Sequence, residues 1–493
     1  MLNGHDRPLG RASLRAMGSM NVTTAVEHAL AAPVAVPREV EQRRTLAVAV
    51  AGTFLALVVY TVPLGIMPSI AAGLDAGTGT QTWLLAAVSL GMATTLISAG
   101  ALGDDYGRKR VLIGGAYVLA VASAVCAFAP NPGVYLAGAL AQGAGGSAIM
   151  ACSLGLIAHA FPEGPQRARA SGIWGAALGA GIGSGPLLGA TFDSTIGWHA
   201  AFAFSGVLAL VLAVAAGPLL VESKADEHKP IDLPGMALLG LGVGALIGGL
   251  VRGRSGWGDA PTLLLTGGGV VLLALFVLVE IRQRAPMLPM GLFRNPRFQA
   301  VTTAAVATGL GVISLLSYLC TMSQRGMGDE PIVGAALIAV WAAASIATAL
   351  LVPRHFAAFS GRAHLAGGLV VTGVGMLSLY GVDAGTNPWL MVAGLALAGI
   401  GSGIANSALG REAVTAVPHG RGSLGSGANN TARYVGSSVG VSIVATIVAA
   451  QGDGPDAIMD GWNVVVLVTT ALTFLGALAV LACRPRARSG GAK

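Results

Sequence analysis

Charged residues are scarce in this sequence. Asp, Glu, Lys and Arg together make up 10% of its 493 residues, whereas hydrophobic residues make up 54%. Soluble domains usually carry about 25% charged residues. A chain this poor in charge cannot cover the surface of a soluble globule, so its composition excludes a soluble enzyme and predicts an integral membrane protein.

Motifs of enzyme chemistry are missing as well. Cys126, Cys152, Cys320 and Cys483 form neither a CxxC pair nor a Cys/His cluster, and they lie in or beside apolar runs. They are expected to be buried apolar side chains rather than disulfide partners or metal ligands. The sequence has no GxxxxGK[ST] phosphate loop, no HExxH and no GxSxG in a strand-to-helix context. We therefore expect no enzyme activity, no metal and no cofactor.

What the sequence does contain is a series of long apolar runs. The run from Trp83 to Leu102 holds no charge over about 20 residues, the length that an α-helix needs to cross a bilayer. Such runs predict an all-α integral membrane protein with fourteen transmembrane helices. The predicted spans are 46–70, 82–102, 111–129, 133–160, 168–192, 200–221, 233–251, 262–281, 298–323, 332–352, 364–382, 387–410, 423–450 and 462–483.

The distribution of Lys and Arg predicts the orientation. An even number of spans places both termini on one side, and nearly all Lys and Arg residues fall on that side. The loops of the other side carry only Arg252, Arg254 and Arg325. Because cytoplasmic segments are enriched in Lys and Arg, we expect both termini in the cytoplasm and a location in the plasma (inner) membrane. The net charge of +7 then reflects topology, and no nucleic-acid partner is expected.

The loop between the second and third spans carries the strongest local pattern. It reads Gly-Ala-Leu-Gly-Asp-Asp-Tyr-Gly-Arg-Lys-Arg from 100 to 110. Gly100 permits close helix contact, and Gly107 permits a tight turn. Asp104 is placed to face the positive N-terminal end of a neighbouring helix, and Arg108 and the two bases after it hold the loop in the cytoplasm. An ordinary basic loop would explain the bases, but not Gly, Asp and Gly at these offsets.

This segment resembles the signature loop of the major facilitator superfamily, whose pattern is G-x-L-x-D-R-x-G-R-K-R. It departs from that pattern at Asp105, where the family usually has a base. In the family the loop gates the cytoplasmic side. The resemblance therefore implies a gating role for Gly100, Asp104, Gly107 and Arg108.

The fifth span carries a second resemblance. From Gly181 to Gly189 it reads Gly-Ile-Gly-Ser-Gly-Pro-Leu-Leu-Gly, and its overlapping GxxxG patterns by themselves predict close helix packing. The segment is similar to the antiporter signature GxxxGPxxGG of the superfamily, except that the last Gly is Ala190 here. The resemblance implies that Gly181, Gly185, Pro186 and Gly189 belong to the helix that marks exporters.

Two more stretches resemble the fourteen-span drug/proton antiporter branch, namely Gly256-Trp257 with 286–293, and 429–436. The resemblance covers about 46–483. It implies a major facilitator fold of two six-helix halves plus two inserted central helices, and a monomer is expected. The expected domains are a disordered cytoplasmic tail 1–45, a six-helix half 46–221, a linker with the inserted helices 222–297, a second half 298–483 and a cytoplasmic tail 484–493.

Two residues that the family ties to proton coupling are replaced. With Met67-Pro-Ser-Ile70 setting the register, the position of the span 1 acid holds Val59, and Ala139 stands where a span 4 Arg would be. No Asp or Glu lies near the middle of a predicted span. Either an acid near a span end, such as Asp193 or Glu412, reaches a water-filled vestibule and carries the proton, or proton coupling is weak or absent.

Arg433 is the charge that lies deep in a predicted span, roughly 16 Å from the start of that span at about 1.5 Å per residue. It either braces two helices by bonding backbone carbonyls, or binds an acceptor-rich or anionic substrate in a cavity. Asn430 shares its helix face, and Tyr434 flanks the same patch. Interface anchoring or packing is the more common explanation for a single Trp or Tyr, but as a set such residues suit a mostly apolar substrate cavity. The other candidates for its lining are Tyr60, Gln142, Trp174, Tyr318, Trp341 and Asn406.

Three functions remain for the chain. The first is export of small organic, drug- or antibiotic-like molecules by alternating access as a secondary antiporter, with protons as the candidate coupling ion. The second keeps the fold but is an uncoupled facilitator or an anion-linked carrier that uses Arg433. The third is a membrane sensor that binds a ligand without transporting it. The expected partners are a small organic substrate and the lipid bilayer.

Overall fold

A computed structural model describes residues 38–225, 230–253, 256–283, 285–355, 360–452 and 454–484. Within these ranges the regular structure is helical, without strands, and each predicted span falls on one of fourteen long helices. They are α1 Arg38–Gly73, α2 Thr78–Tyr106, α3 Arg108–Ala127, α4 Pro132–Ala160, α5 Pro165–Ile196, α6 Trp198–Leu219, α7 Leu233–Gly253, α8 Ala260–Arg282, α9 Pro296–Arg325, α10 Pro331–His355, α11 Gly361–Leu377, α12 Val392–Thr415, α13 Gly422–Ala449 and α14 Pro455–Ala482.

Thirteen of these helices, counted over the described residues, are long and apolar enough to cross a membrane. The other is α11, whose 17 residues stand at the lower end of the length range for a spanning helix, about 17–25 residues. Turn residues follow it to residue 381. The predicted all-α membrane fold with fourteen helices is thereby confirmed.

Helix ends follow from local chemistry. The Asn131 side chain accepts the Val134 N–H at 3.0 Å at the start of α4, and Pro132 occupies the first helical position, where no backbone donor is needed. Gly197 separates α5 from α6 with a φ of 92°, a conformation that side chains with a Cβ rarely adopt. Adjacent spans therefore reverse direction over very few residues.

Glycines bring helices together in the same way in both halves. In the first half, a Cβ on Gly145 of α4 would lie 2.6 Å from the Gly115 oxygen of α3. In the second half, a Cβ on Gly368 of α11 would lie 2.8 Å from the Gly401 oxygen of α12. Because α11 and α12 occupy the same places in their half as α3 and α4 in theirs, the paired contacts fit two related halves.

The inserted helices occupy different environments. On α7, a Cβ on Gly248 would lie 3.3 Å from the Trp83 ring of α2, and the Leu250 oxygen accepts the Ser442 hydroxyl of α13 at 3.3 Å. Helix α7 therefore contacts one helix of each half. Helix α8 packs on α7 but turns exposed apolar side chains outward, namely Leu263, Leu264, Val270, Val271 and Leu275, as a lipid-facing helix does.

Helix α9 contains a π-helical segment at Thr308–Ile313. A Cβ on Gly309 would clash with the Arg433 oxygen of α13, and a Cβ on Gly311 would lie 3.0 Å from the Thr469 oxygen of α14. The wide turn is thus held between two helices of its own half. Such segments change the angular position of everything that follows them in the helix.

Cys126, Cys152 and Cys320 are buried, as predicted, whereas Cys483 is partly exposed at the end of α14. The predicted burial of Cys483 was wrong, because the apolar run of α14 ends at this residue. Helix α1 begins at Arg38, inside the predicted tail 1–45. Residues 1–37 and 485–493 of the predicted tails lie outside the described residues.

Candidate functional site

Successive helices begin alternately on two faces. The face that carries the α2–α3 and α12–α13 loops is called the inner face. The distribution of Lys and Arg predicts that this face is cytoplasmic. The opposite side is the outer face. At the inner face, α2 of the first half crosses α13 of the second half.

Glycine makes this crossing close. A Cβ on Gly100 would clash with the Ser423 oxygen and lie 2.8 Å from the Ser423 carbonyl carbon. One turn further into α13, a Cβ on Gly427 would clash with the Leu96 oxygen of α2. The two backbones touch without intervening side chains, which requires glycine at these positions.

Asp104 joins the halves at the same crossing. Its side chain is fully buried. Its Oδ1 accepts the Ser423 N–H at 3.2 Å, and its Oδ2 accepts the Leu424 N–H at 2.8 Å. These N–H groups belong to the first turn of α13, where they lack partners within the helix and carry the positive end of its dipole. A carboxylate of the first half therefore caps a helix of the second half.

Arg108 completes the contact. Its Nη2 lies 2.8 Å from Asp104 Oδ1 and donates to the Gly420 oxygen at 2.5 Å, while its Nη1 donates to the Ser223 hydroxyl at 3.4 Å. The side chain is 2% exposed. One guanidinium thus connects α2, α3, the segment after α6 and the α12–α13 loop, and its charge is balanced by the buried carboxylate.

Asp105 is the departure from the family pattern, and it has an opposite charge of its own. Arg421 Nη1 lies 2.7 Å from Asp105 Oδ1, with both side chains about one-tenth exposed. The contact therefore contains two acids from the α2 end and two bases, Arg108 and Arg421. Sequence reasoning missed Arg421. The available signal was the acid itself, since an acid in place of a base calls for a base opposite it.

Glu222 also escaped sequence reasoning. Gly107 has a φ of 120° and turns the chain from α2 into α3. Glu222 Oε1 accepts the Lys109 N–H at 3.1 Å and its Oε2 accepts the Arg110 N–H at 3.3 Å, so it caps α3. The following residue, Ser223, accepts the Arg108 N–H at its backbone oxygen at 2.9 Å. The segment after α6 thus holds the α2–α3 loop in place through hydrogen bonds to its backbone.

The predicted exporter helix, α5, has two glycine faces. On one, a Cβ on Gly181 would lie 2.7 Å from the Phe54 oxygen of α1, and a Cβ on Gly189 would lie 2.9 Å from the Val62 oxygen. Gly185 lies between them against Thr61. Pro186 lies inside the unbroken helix, and its backbone packs on Gly65 of α1.

The other glycine face of α5 meets the second half. A Cβ on Gly175 would lie 3.3 Å from the Asn406 carbonyl carbon of α12, and a Cβ on Gly179 would lie 3.3 Å from Ser345 Oγ of α10. A Cβ on Gly183 would clash with Ala342 of α10. Helix α5 is therefore in close contact with its own half on one side and with the opposite half on the other.

A cavity of about 90 Å³ lies between the halves on the outer side of this contact. Its lining includes Tyr60 of α1, Ser89 of α2, Val251 of α7, Ser317 of α9 and Ser437 of α13. Each of these residues lies toward the outer end of its helix. The halves therefore meet at the inner face, and the space between them lies toward the outer face.

A layer of polar and aromatic side chains lies one turn below the cavity. Tyr434 packs edge-on against Tyr60, with ring centroids 5.4 Å apart. Arg433 Nη2 donates to Asn406 Oδ1 at 3.2 Å, which links α13 to α12. Among the described residues, Arg433 Nε and Asn430 Oδ1 have no hydrogen-bond partner. Arg433 therefore makes a bracing contact and also keeps an unused donor.

Four predicted cavity residues lie elsewhere, because their side chains have partners or packing outside this space. Gln142 donates to Ser123 at 2.9 Å within the first half, and Trp341 donates to Ser402 at 3.2 Å within the second half. Tyr318 stacks on Trp462 with centroids 6.5 Å apart, and Trp174 is buried where α5 meets Gly410 of α12. Helix patterns alone did not give the direction in which these side chains point.

The positions tied to proton coupling are apolar and buried. Val59 is 1% exposed and Ala139 is fully buried, each within a hydrophobic cluster. Asp193 Oδ2 accepts the Ser69 hydroxyl at 2.5 Å near the outer face, and Glu412 pairs with Arg411 at 3.2 Å near the inner face. In the described parts of the chain, no Asp or Glu lines the cavity between the halves.

Residues 49–441 match the model of the Major Facilitator Superfamily. The chain belongs to the Major Facilitator Superfamily. This membership confirms the resemblance drawn from the two signature segments, and it makes the chain a multi-pass membrane protein.

Individual proteins of the superfamily are similar over most of the chain. The multidrug resistance protein Stp of Mycobacterium tuberculosis (strain CDC 1551 / Oshkosh) is 30% identical over 388 residues, which cover 78% of this chain and 72% of that protein. A probable actinorhodin transporter of Streptomyces coelicolor is 32% identical over 393 residues, covering 77% and 68%. The human organic anion transporter MFSD10 (TETRAN) superposes with a TM-score of 0.64 at 16% identity over 88% of this chain and 99% of that one, a likeness of fold alone.

Proposed function

We propose that this superfamily member exports small organic, drug- or antibiotic-like molecules, with both termini on the cytoplasmic side of the plasma (inner) membrane. The names of its relatives support this proposal, since they include a multidrug resistance protein, a probable actinorhodin transporter and a multidrug efflux pump. The basic inner face supports the orientation. The exporter-type glycine segment of α5 supports the direction of transport.

The substrate binds between the halves in this proposal. The cavity near Tyr60 and Ser437 offers one aromatic ring, several aliphatic side chains and hydroxyl groups but no carboxylate among its described lining residues, which suits an amphipathic molecule with a few hydrogen-bonding groups. Its volume of about 90 Å³ is below the ~300–1,000 Å³ of most small-molecule sites. Binding therefore includes widening of the cavity toward the layer formed by Tyr434, Asn430 and Arg433.

The observation that carries alternating access is the capping of α13 by Asp104. This contact joins the halves at the inner face through hydrogen bonds and charges, beside apolar residues such as Leu424 and Ala428 that share a buried cluster with Leu96 of α2. The polar groups of the contact can exchange their partners for water, which allows the inner face to open and close. In the inward-open state, the carboxylate, Arg108 and the first turn of α13 become hydrated.

A transport assay tests the proposal. Cells that express the chain should accumulate several-fold less of at least one compound in a broad panel of dyes and antibiotics than empty-vector cells. Asp104→Asn should accumulate as much as empty-vector cells while reaching the membrane in normal amounts. Asp456→Asn, an exposed acid at the outer start of α14, is the matched control and should export normally. Equal accumulation in all strains across the panel contradicts export.

A second candidate is an uncoupled facilitator or an anion-linked carrier that uses Arg433. The apolar surroundings of Val59 and Ala139 favour it, as does the free donor at Arg433 Nε. In proteoliposomes, antiport predicts that an imposed pH gradient changes uptake steeply. The second candidate predicts uptake that is flat with the gradient. It also predicts that Arg433→Met loses transport of anionic substrates at least tenfold, whereas Arg433→Lys retains part of it.

A further inference from the structure

A second cavity lies apart from the space between the halves, at the inner face of the second half. Its volume is about 450 Å³. It is bounded by the first turns of α9 and α11 and by the last turns of α12 and α14. Two helix N-termini and two helix C-termini therefore meet there, so their dipoles largely cancel, and the side chains set the charge of the cavity.

Those side chains are mainly basic. Among the described lining residues, Arg297, Arg362 and Arg411 stand together with one acid, Glu412. Arg411 Nε lies 3.2 Å from Glu412 Oε1 and neutralises it. Arg362 Nη1 donates to the Cys483 oxygen at 3.2 Å, which holds the guanidinium at the cavity without neutralising it. The described lining residues thus keep an excess of two positive charges, carried by Arg297 and Arg362.

The walls are apolar one turn further into the membrane. On α9, Val301 lies four residues beyond Arg297, and on α11, Leu365 lies three residues beyond Arg362. At about 1.5 Å per residue, these side chains begin about 4.5–6 Å deeper than the arginines. The cavity is therefore basic at the level of the inner surface and apolar below it. That order matches a phospholipid, whose phosphate lies at the surface and whose acyl chains extend inward.

We propose that this cavity binds an anionic phospholipid of the inner leaflet, with the phosphate between Arg297 and Arg362 and the start of an acyl chain against Val301 and Leu365. Guanidinium groups suit a phosphate because their donors match its oxygens in pairs. The cavity touches four of the six helices of the second half, so an occupant would tie them together. This site is separate from the substrate cavity, and the proposal does not depend on the exported molecule.

The experiment uses the full chain, purified and stripped of lipid in detergent. Its unfolding midpoint is followed by tryptophan fluorescence while phosphatidylglycerol, phosphatidylcholine or inorganic phosphate is added. Phosphatidylglycerol should raise the midpoint by several degrees, whereas phosphatidylcholine and inorganic phosphate should raise it little. Arg297→Gln/Arg362→Gln should need on the order of tenfold to thirtyfold more phosphatidylglycerol for half of the shift.

The control removes two arginines that are exposed in the first half, Arg44→Gln/Arg169→Gln. It carries the same net charge as the double cavity variant and should respond like the native chain. Arg297→Gln alone, at an exposed residue, gives an intermediate shift and keeps the proposal testable if the double variant is poorly folded. Equal responses of the cavity and control variants would overturn the proposal in favour of non-specific attraction. An equal effect of inorganic phosphate would overturn it in favour of a soluble anion, and the absence of any phosphatidylglycerol effect would overturn it outright.

Discussion

At the scale of single residues, the inner contact depends on matching charges rather than on the sign at one position. Asp105 stands where the family usually has a base, and Arg421 of the other half lies 2.7 Å away. Both side chains are about one-tenth exposed, so water screens the pair only in part. A base at 105 would therefore face a base at 421, although it would restore the common family pattern.

Exchanging the charges tests this pairing. Asp105→Arg should destabilise the inner contact by about 1–3 kcal/mol, because two like charges would lie together in a mostly buried place. Asp105→Arg/Arg421→Asp should recover at least half of the loss. The unfolding midpoint in detergent and drug accumulation in cells measure the two effects.

The exposed pair Arg110–Glu222 provides the control for the charge exchange. These side chains are 80% and 33% exposed and lie 3.6 Å apart, so Arg110→Ala should change stability by less than about 1 kcal/mol. A double exchange that is no better than Asp105→Arg would show that the two residues do not act as a pair.

At the scale of helices, α5 has no spare room on two sides. Gly181 and Gly185 lie against α1 of the same half, whereas Gly179 and Gly183 lie against α10 of the other half. The first face holds the half together. The second face is a contact that has to rearrange when the halves move, so identical changes on the two faces should have different consequences.

Glycine-to-alanine changes separate these consequences. Gly181→Ala should cost about 1–3 kcal/mol through overpacking against the backbone of α1, seen as a lower unfolding midpoint. Gly183→Ala should alter transport more than stability, because it presses α5 away from a helix of the other half. Gly267→Ala of α8, where nothing lies within 4 Å of the added methyl, should be neutral or slightly stabilising. Equal loss of stability for Gly181→Ala and Gly267→Ala would contradict the packing explanation.

The helices themselves were predictable, but the directions of their side chains were not. Length and apolarity place every span, because a membrane demands both. Asp104 was expected to face the N-terminal end of a neighbouring helix, and its carboxylate accepts N–H groups from the first turn of α13. The acid at 105 signalled that a base would face it, but it did not identify Arg421 as that base, because 316 residues separate the two positions. Tyr318 stacks on Trp462, and the π-helical segment at Thr308–Ile313 precedes it in α9, so a regular helical register does not give the direction of its side chain.

At the scale of the whole molecule, the excess of Lys and Arg on the inner face predicts how the protein is oriented in the membrane. That orientation sets the side on which the Asp104 contact, the cavity near Tyr60 and the proposed phospholipid site lie. If the inner face is cytoplasmic, the Asp104 contact lies at the cytoplasmic side of the two halves, and the cavity near Tyr60 lies between that contact and the outer face. The proposed phospholipid site then lies in the cytoplasmic leaflet. All three statements depend on one topology.

Cysteine labelling tests that topology. In a Cys483→Ser background, whose remaining cysteines are buried, Glu163→Cys lies in the α4–α5 loop of the inner face and Glu330→Cys before α10 at the outer face. Both positions are exposed. A membrane-impermeant maleimide added to intact cells should label the cysteine at 330 and not that at 163, whereas permeabilised cells should show both. The reverse pattern would invert the orientation.

The ion pair between Asp105 and Arg421 has a consequence for how these two positions vary among relatives. A codon change at Asp105 or at Arg421 alone leaves a charge without its opposite, and only a second change elsewhere repairs it. The two positions should therefore covary among relatives, although they lie far apart in the chain. Relatives with a base at the first position should lack one at the second, and the acid found here should occur together with Arg or Lys at the position of Arg421.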